Sequence, residues 1–169
     1  PSDVDLAAAE LELADFDNRQ NRLKDAIAEI KERYHYIIID CPPSLGMLTV
    51  NALTAADGVV IPMQCEYFAM EAITSILALI RKIKTSTNPN LEIEGFLYTM
   101  FDPNDQFQVE IANEIRNIFG TQVFSDYIPR NNSIPESQSK GIPIIMFSPN
   151  SIGAQAYLQV VKEIIQKNS

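Results

Sequence analysis

Apolar and polar positions along the chain fall into two alternating rhythms. Residues 18–33 place Leu23, Ile27 and Ile30 at helical spacing and lead into Tyr36, Ile37, Ile38 and Ile39, an unbroken apolar and aromatic run that stops on Asp40. The pattern predicts a helix followed by a buried strand. Leu48 to Ala56 reads as a short helix, GVVIPMQ (58–64) as a second strand, and 67–85 as a helix with Ile73, Ile76, Leu77, Ile80 and Ile83 on one stripe. GFLYTMF (95–101) is a third strand, 106–119 a helix, 121–128 a fourth strand, PIIMF (143–147) a short fifth, and 151–166 a closing helix carrying Leu158, Val161, Ile164 and Ile165. Nearly continuous apolar strands alternating with amphipathic helices imply an α/β fold: three layers, with a mostly parallel sheet covered by helices on both faces. No internal repeat, low-complexity tract or linker interrupts the order, and Asn88-Pro89-Asn90 reads as a loop.

Ligands of open parallel sheets bind beyond the carboxyl ends of the strands. Asp40 stands at such an end, as do Gln64, Cys65 and Glu66 after the second strand, Asp102 after the third, and Pro129, Arg130 and Asn131 after the fourth. Solvation of loops explains a polar residue at any single strand end. Asp40 is a stronger candidate, because Pro42 and Pro43 follow it almost at once. Those prolines fix φ near −65° and remove two donors, leaving Ser44 and Gly46 to shape a loop of the kind that approaches a γ-phosphate. A carboxylate in this setting suits Mg²⁺, held directly or through water.

Composition narrows the classes. The chain has 169 residues, 46% of them hydrophobic and 21% charged, enough for one domain with a sizeable core. Its formal net charge of −9 works against wholesale attraction to DNA or an anionic membrane surface. No apolar run reaches the roughly 18 residues of a membrane span, and no leader pattern is visible, so a cytoplasmic setting is expected. Cys41 and Cys65 lack a CxxC pattern, and the single histidine, His35, precedes a strand. Both cysteines read as small hydrophobes near the rim, without zinc or a disulfide, and His35 as a solvated imidazole.

IIIDCPPSLG (37–46), continuing into LTVNALTAADGVVIPMQCEYFAMEAI (48–73), is far more specific than composition. With LAAAELEL, IEGFLYTMFD, IPRNNSIPES and KGIPIIMFSPNSIGAQAYLQVVKEI, it closely resembles the ParA/Soj family of chromosome and plasmid partitioning ATPases, the deviant Walker group that includes the MinD regulators. The resemblance implies a P-loop NTPase-like fold, ATP and Mg²⁺ as cofactors, and ATP hydrolysis. By it Asp40 is the Walker B acid, associated with Mg²⁺ through water. Pro42, Pro43, Ser44 and Gly46 correspond to a switch loop, and Pro129, Arg130 and Asn131 to the segment lining the adenine. A homodimer in the ATP state and a ParB-like partner are likewise implied. Glu66 stays open between a group behind the metal and a partner for lysine across a dimer.

The family's Gly-rich loop of KGGVGKT type is not matched, and neither Gly-Lys-Thr nor Gly-Lys-Ser occurs. Residues 1–169 are therefore expected to form a single domain, the C-terminal portion of a ParA-type ATPase domain missing the N-terminal strand and phosphate loop, and to be inactive alone. The sequence also departs from its relatives at basic positions: Asn104 and Asp105, Ser133, Asn150 and Ile152 stand where the Soj-like pattern tends to carry arginine, while Arg130 is retained. This weakens the expectation of non-specific DNA binding. Three readings stay open: a partitioning ATPase, a related ATPase positioning another cargo, and a non-catalytic interaction module. The terminal YLQVVKEIIQKNS offers no basic aromatic anchor for a membrane.

Overall fold

The computed structural model describes residues 6–168, and these cluster into two compact units, residues up to 59 with 74–92, and 60–73 with 93–168. In the first unit α1 (Leu6–Glu12), α2 (Arg22–Ala28) and α3 (Met47–Ala55) precede most of α4 (Ala69–Lys84). Ala52 and Leu53 of α3, Ile80 and Ile83 of α4, and Leu91 are buried. Polar side chains close the helix ends inside this apolar set. Asn88 donates to the carbonyls of Leu53 and Ala56 at 2.9 and 2.7 Å, and the Thr54 and Thr87 hydroxyls bond at 2.9 Å. Asn51 bonds Leu23 N–H and the carbonyls of Arg19 and Met47. Each is a buried polar group with its partners satisfied, so it fixes geometry instead of costing stability.

The second unit holds nearly all of a sheet ordered β1 (Gly58–Met63), β2 (Glu92–Phe101), β3 (Ile128–Pro129). β2 and β3 are parallel, pairing Thr99 with Ile128 and Phe101 with Pro129. Contacts of Glu92 N–H with Asp57 O at the start of β2, and of the Thr99 hydroxyl with Met63 O near its end, give β1 and β2 the same direction. Leu97, Phe124, Ile128 and Val160 form the buried cluster, with Val60, Ile134, Ala156 and Ile164 packed on it. Val160 comes from α8 (Ile152–Lys167), which Ser151 caps by accepting from Ala154 N–H at 3.2 Å. Asp105 caps α5 (Gln106–Phe119) in the same way, accepting from Phe107 and Gln108. Gly95 is demanded by space and conformation together. Its φ is +156°, and a Cβ would lie 2.6 Å from Gln122 O.

The α/β class and parallel sheet follow the hydrophobic rhythm, but four elements differ from it. Residues 36–40 form no strand or ladder, and Ile38 is 84% exposed. An apolar run becomes a strand only when neighbours take its N–H and C=O groups, and no such neighbour exists among the described residues. The expected strand 121–128 shrinks to a Phe96–Val123 bridge and the two residues of β3. Here Ser125 N–H bonds the Glu163 carboxylate at 3.0 Å, which takes it out of a ladder. PIIMF is not a strand: Ile144–Phe147 form the single-turn helix α7 behind Pro143, whose preset φ favours a helix start. The helix expected over 18–33 is broken into 3₁₀ turns at Arg19–Asn21 and Lys31–Arg33 around α2. Asn18, at φ 59°, begins it with a left-handed turn.

Candidate functional site

In the first unit the segment from Tyr36 leads through Asp40, Cys41, Pro42, Pro43, Ser44 and Leu45 to Gly46, the residue before α3. Asp40 is exposed, and no hydrogen bond or ion pair reaches its carboxylate among the described residues. Beside it, burial and then the Asp40 charge raise the Cys41 thiol above its ordinary pKa. The far end of the loop is fastened. Thr49 donates its hydroxyl to Ser44 O at 2.6 Å, and Met47 N–H donates to Glu10 Oε1 at 2.6 Å. The Ser44 hydroxyl itself has no partner among the described residues. His35 is exposed, in keeping with a solvated imidazole.

The second unit brings the other strand ends together. Since Phe101 pairs with Pro129, the residues that follow, Asp102 and Arg130, leave the same edge of the sheet, as do Gln64, Cys65 and Glu66 after β1. Arg130 is exposed, with no ion pair among the described residues. Asn131 has a local role: its Oδ1 accepts Ser133 N–H at 3.1 Å and shapes the turn into α6 (Ser133–Ser139). Asp102 does the same for its own loop, accepting Asn104 N–H and Nδ2 at 2.9 and 3.0 Å. Cys65 is buried, which pushes its thiol up to about 11, whereas Gln64 and Glu66 face solvent.

Two features, one on this rim and one in the first unit, escape a reading by pattern. Met100, one residue before the end of β2, has φ +52° at a break in the β2–β3 register. This β-bulge turns its side chain out and leaves it 46% exposed. Glu10 is the other, since its partner Met47 is 37 residues away in sequence. No local spacing signals a carboxylate that caps a distant helix. An open groove of about 410 Å³ beside α8 contains none of the expected site residues. Its Glu163 is already engaged by Ser125 N–H and Lys167.

Over residues 1–93 the chain matches the family model described as an AAA domain. It is 46% identical over 164 residues to the sporulation initiation inhibitor protein Soj of Bacillus subtilis (strain 168), covering 97% of this chain and 65% of that protein. To the chromosome partitioning protein ParA of Myxococcus xanthus (strain DK1622) it is 44% identical over 169 residues, covering 100% of this chain and 60% of the relative. Among solved structures it is similar to cobyrinic acid a,c-diamide synthase from Mycobacterium smegmatis with bound ATP analog and magnesium. The TM-score is 0.78 at 34% identity, over 93% of this chain and 58% of that one. The chain thus spans less than two thirds of the length of these relatives.

Proposed function

Because this chain belongs to the AAA-domain family of ParA/Soj-type partitioning ATPases, we propose that the complete protein hydrolyses ATP with Mg²⁺ and uses the cycle to switch between monomer and homodimer in a partitioning role. The observation that carries this reading is the exposed, unpaired Asp40 at the end of an apolar segment, joined by a rigid diproline turn to the N-terminus of α3. Mg²⁺ keeps several waters and takes one or two protein carboxylates besides the nucleotide phosphates. A single open carboxylate fits that demand. No group of three His, Cys, Asp or Glu side chains among the described residues offers the closed cage of a structural metal.

In the proposed mechanism Asp40 is the residue that would hold Mg²⁺ beside the nucleotide, and the ion would supply neutralisation of the phosphate charge. Pro42 and Pro43 limit the loop to a few backbone conformations, so that Ser44, its carbonyl fixed by Thr49, presents its hydroxyl in a defined direction. Pro129, Arg130 and Asn131 form the base side, with the Asn131 turn setting the backbone against which adenine lies. Glu66 faces solvent at the same edge as this segment. A ParB-like partner acts on the ATP-bound dimer, non-specific DNA binds it only weakly, and no helix of the described residues is long and apolar enough to cross a membrane.

The test is the ATPase rate of the complete protein. Asp40→Ala is expected to lower turnover by about 100-fold, a loss typical of a group that orients a catalytic metal, with the far-UV circular dichroism unchanged. Normal turnover in that folded variant would remove Asp40 from the site. Absence of turnover in the unaltered complete protein would favour the non-catalytic module. Residues 1–169 alone contain no Gly-rich phosphate loop. Such loops supply most phosphate affinity through backbone N–H groups, so calorimetry is expected to find weak Mg·ATP binding and no hydrolysis. Micromolar binding by this chain would show that other residues cradle the phosphates.

A further inference from the structure

Gly46 and Glu10 form a matched pair. At φ −86° and ψ −165°, Gly46 has an extended backbone that any residue adopts, so conformation does not explain the glycine. Space does. A Cβ at position 46 would overlap the Glu10 carboxylate, which reaches past it to accept Met47 N–H at 2.6 Å. Gly46, as the residue preceding α3, has no side chain with which to cap that helix. Glu10 of α1 supplies the acceptor instead, and its negative charge lies at the positive end of the helix dipole.

The consequence falls on the loop between Asp40 and α3. It is pinned at its α3 end by the Met47–Glu10 and Ser44–Thr49 hydrogen bonds. At its Asp40 end no hydrogen bond or ion pair to the carboxylate holds it among the described residues. Pro42 and Pro43 stiffen the path between the two. A displacement at Met47 is therefore carried toward Asp40 with little absorbed on the way. We propose that Glu10 is a positioning residue for the reaction: by capping α3 from a separate helix, it sets where the Asp40–Gly46 loop presents its carboxylate and its Ser44 hydroxyl. This rests on the ATPase reading above and adds to it a residue that touches neither nucleotide nor metal.

The experiment measures steady-state ATPase kinetics of the complete protein, together with amide exchange at Met47. Glu10→Ala is expected to lower kcat by about 10- to 100-fold, the scale produced by misplacing reacting groups by an ångström, while KM for ATP stays within about twofold. Glu10→Asp keeps the charge but is one methylene too short, and falls with alanine. Glu10→Gln keeps an acceptor oxygen at full reach and retains most of the rate. Gly46→Ala, which evicts the carboxylate, reproduces the Glu10→Ala loss, and the double variant is no worse than either single one. Glu12→Ala, an exposed acid on the same helix, leaves kcat unchanged. Met47 exchange accelerates in Glu10→Ala and stays slow in Glu10→Gln. An active protein whose Glu10→Ala and Glu10→Asp variants turn over normally would overturn the positioning role and leave the ATPase reading intact. So would a kcat loss equalled in Glu12→Ala. A complete protein without ATPase activity would overturn both.

Discussion

Tyr98 is 4% exposed, and its hydroxyl donates to Ala112 O at 2.7 Å. Burial, then the neighbouring Cys65, push the phenol up to about 12, against a smaller opposing effect of Arg116. The folded pKa thus lies above the unfolded value near 10. The neutral phenol stabilises the fold fully below about pH 10, and that contribution is lost as pH rises through about 12. A titration followed by phenolate absorbance should show a late step for Tyr98, well above pH 10, in the range where the protein unfolds. Tyr98→Phe should delete that late step and cost about 1 kcal/mol for the lost hydrogen bond. A Tyr98 that titrates near pH 10 in the folded chain would contradict its burial. At this scale the sequence singles out a candidate only when the signal is local: Asp40 stands out because Ile39 precedes it and Pro42 and Pro43 follow closely. It marks nothing when the partner is remote, as for Glu10, or when a side chain is used by its own turn, as for Asn131 and Asp102.

Periodicity located α4, α5 and α8 within a few residues, because each buries one stripe whatever surrounds it. Strands are different, since an apolar run specifies only that burial is wanted, and the ladder depends on neighbours the run does not encode. The strand expected at Tyr36 to Asp40 lacks them, whereas Phe96 and Leu97 in β2 have strands on both sides. Proline decided the other case. Pro143 starts a turn of helix at Ile144–Phe147, and four apolar residues fit one turn as readily as a short strand. Hydrogen exchange on residues 1–169 checks the contrast. The amides of Ile37, Ile38 and Ile39 should exchange at nearly unprotected rates and those of Phe96, Leu97 and Tyr98 slowly, because protection follows stable hydrogen bonding. Protection at Ile38 equal to that at Leu97 would mean that the segment already has a partner in this chain. Asp105→Ala should cost about 1 kcal/mol of stability, the usual worth of an N-cap, since its carboxylate serves two N–H groups of α5.

For the molecule as a whole, charge decides how it meets DNA. The net charge of −9 repels phosphate at long range, and at positions where the Soj-like pattern tends to carry arginine this chain has neutral or acidic residues. Asn104 is bound to Asp102 within its turn, Asp105 caps α5, and Ser133 N–H closes the Asn131 turn. Among the remaining cations, Lys84 donates to Leu91 O at 2.5 Å, and Lys167 pairs with Glu163 while lying 4.1 Å from the Phe124 ring centroid. Lys82 and Lys140 are exposed and stay available, although Lys82 also complements the carboxyl end of the α4 dipole. Each phosphate contact contributes roughly −0.9 to the slope of log K against log salt, so about three fewer contacts per subunit should flatten that slope by several units per dimer. Titrating the ATP-bound complete protein onto random-sequence duplex at several salt concentrations is expected to give weak binding with a shallow slope. Such a result would point to a cargo other than bulk DNA. Tight binding with a steep slope, abolished by Lys82→Glu and Lys140→Glu, would refute this and place the phosphate contacts on those two lysines.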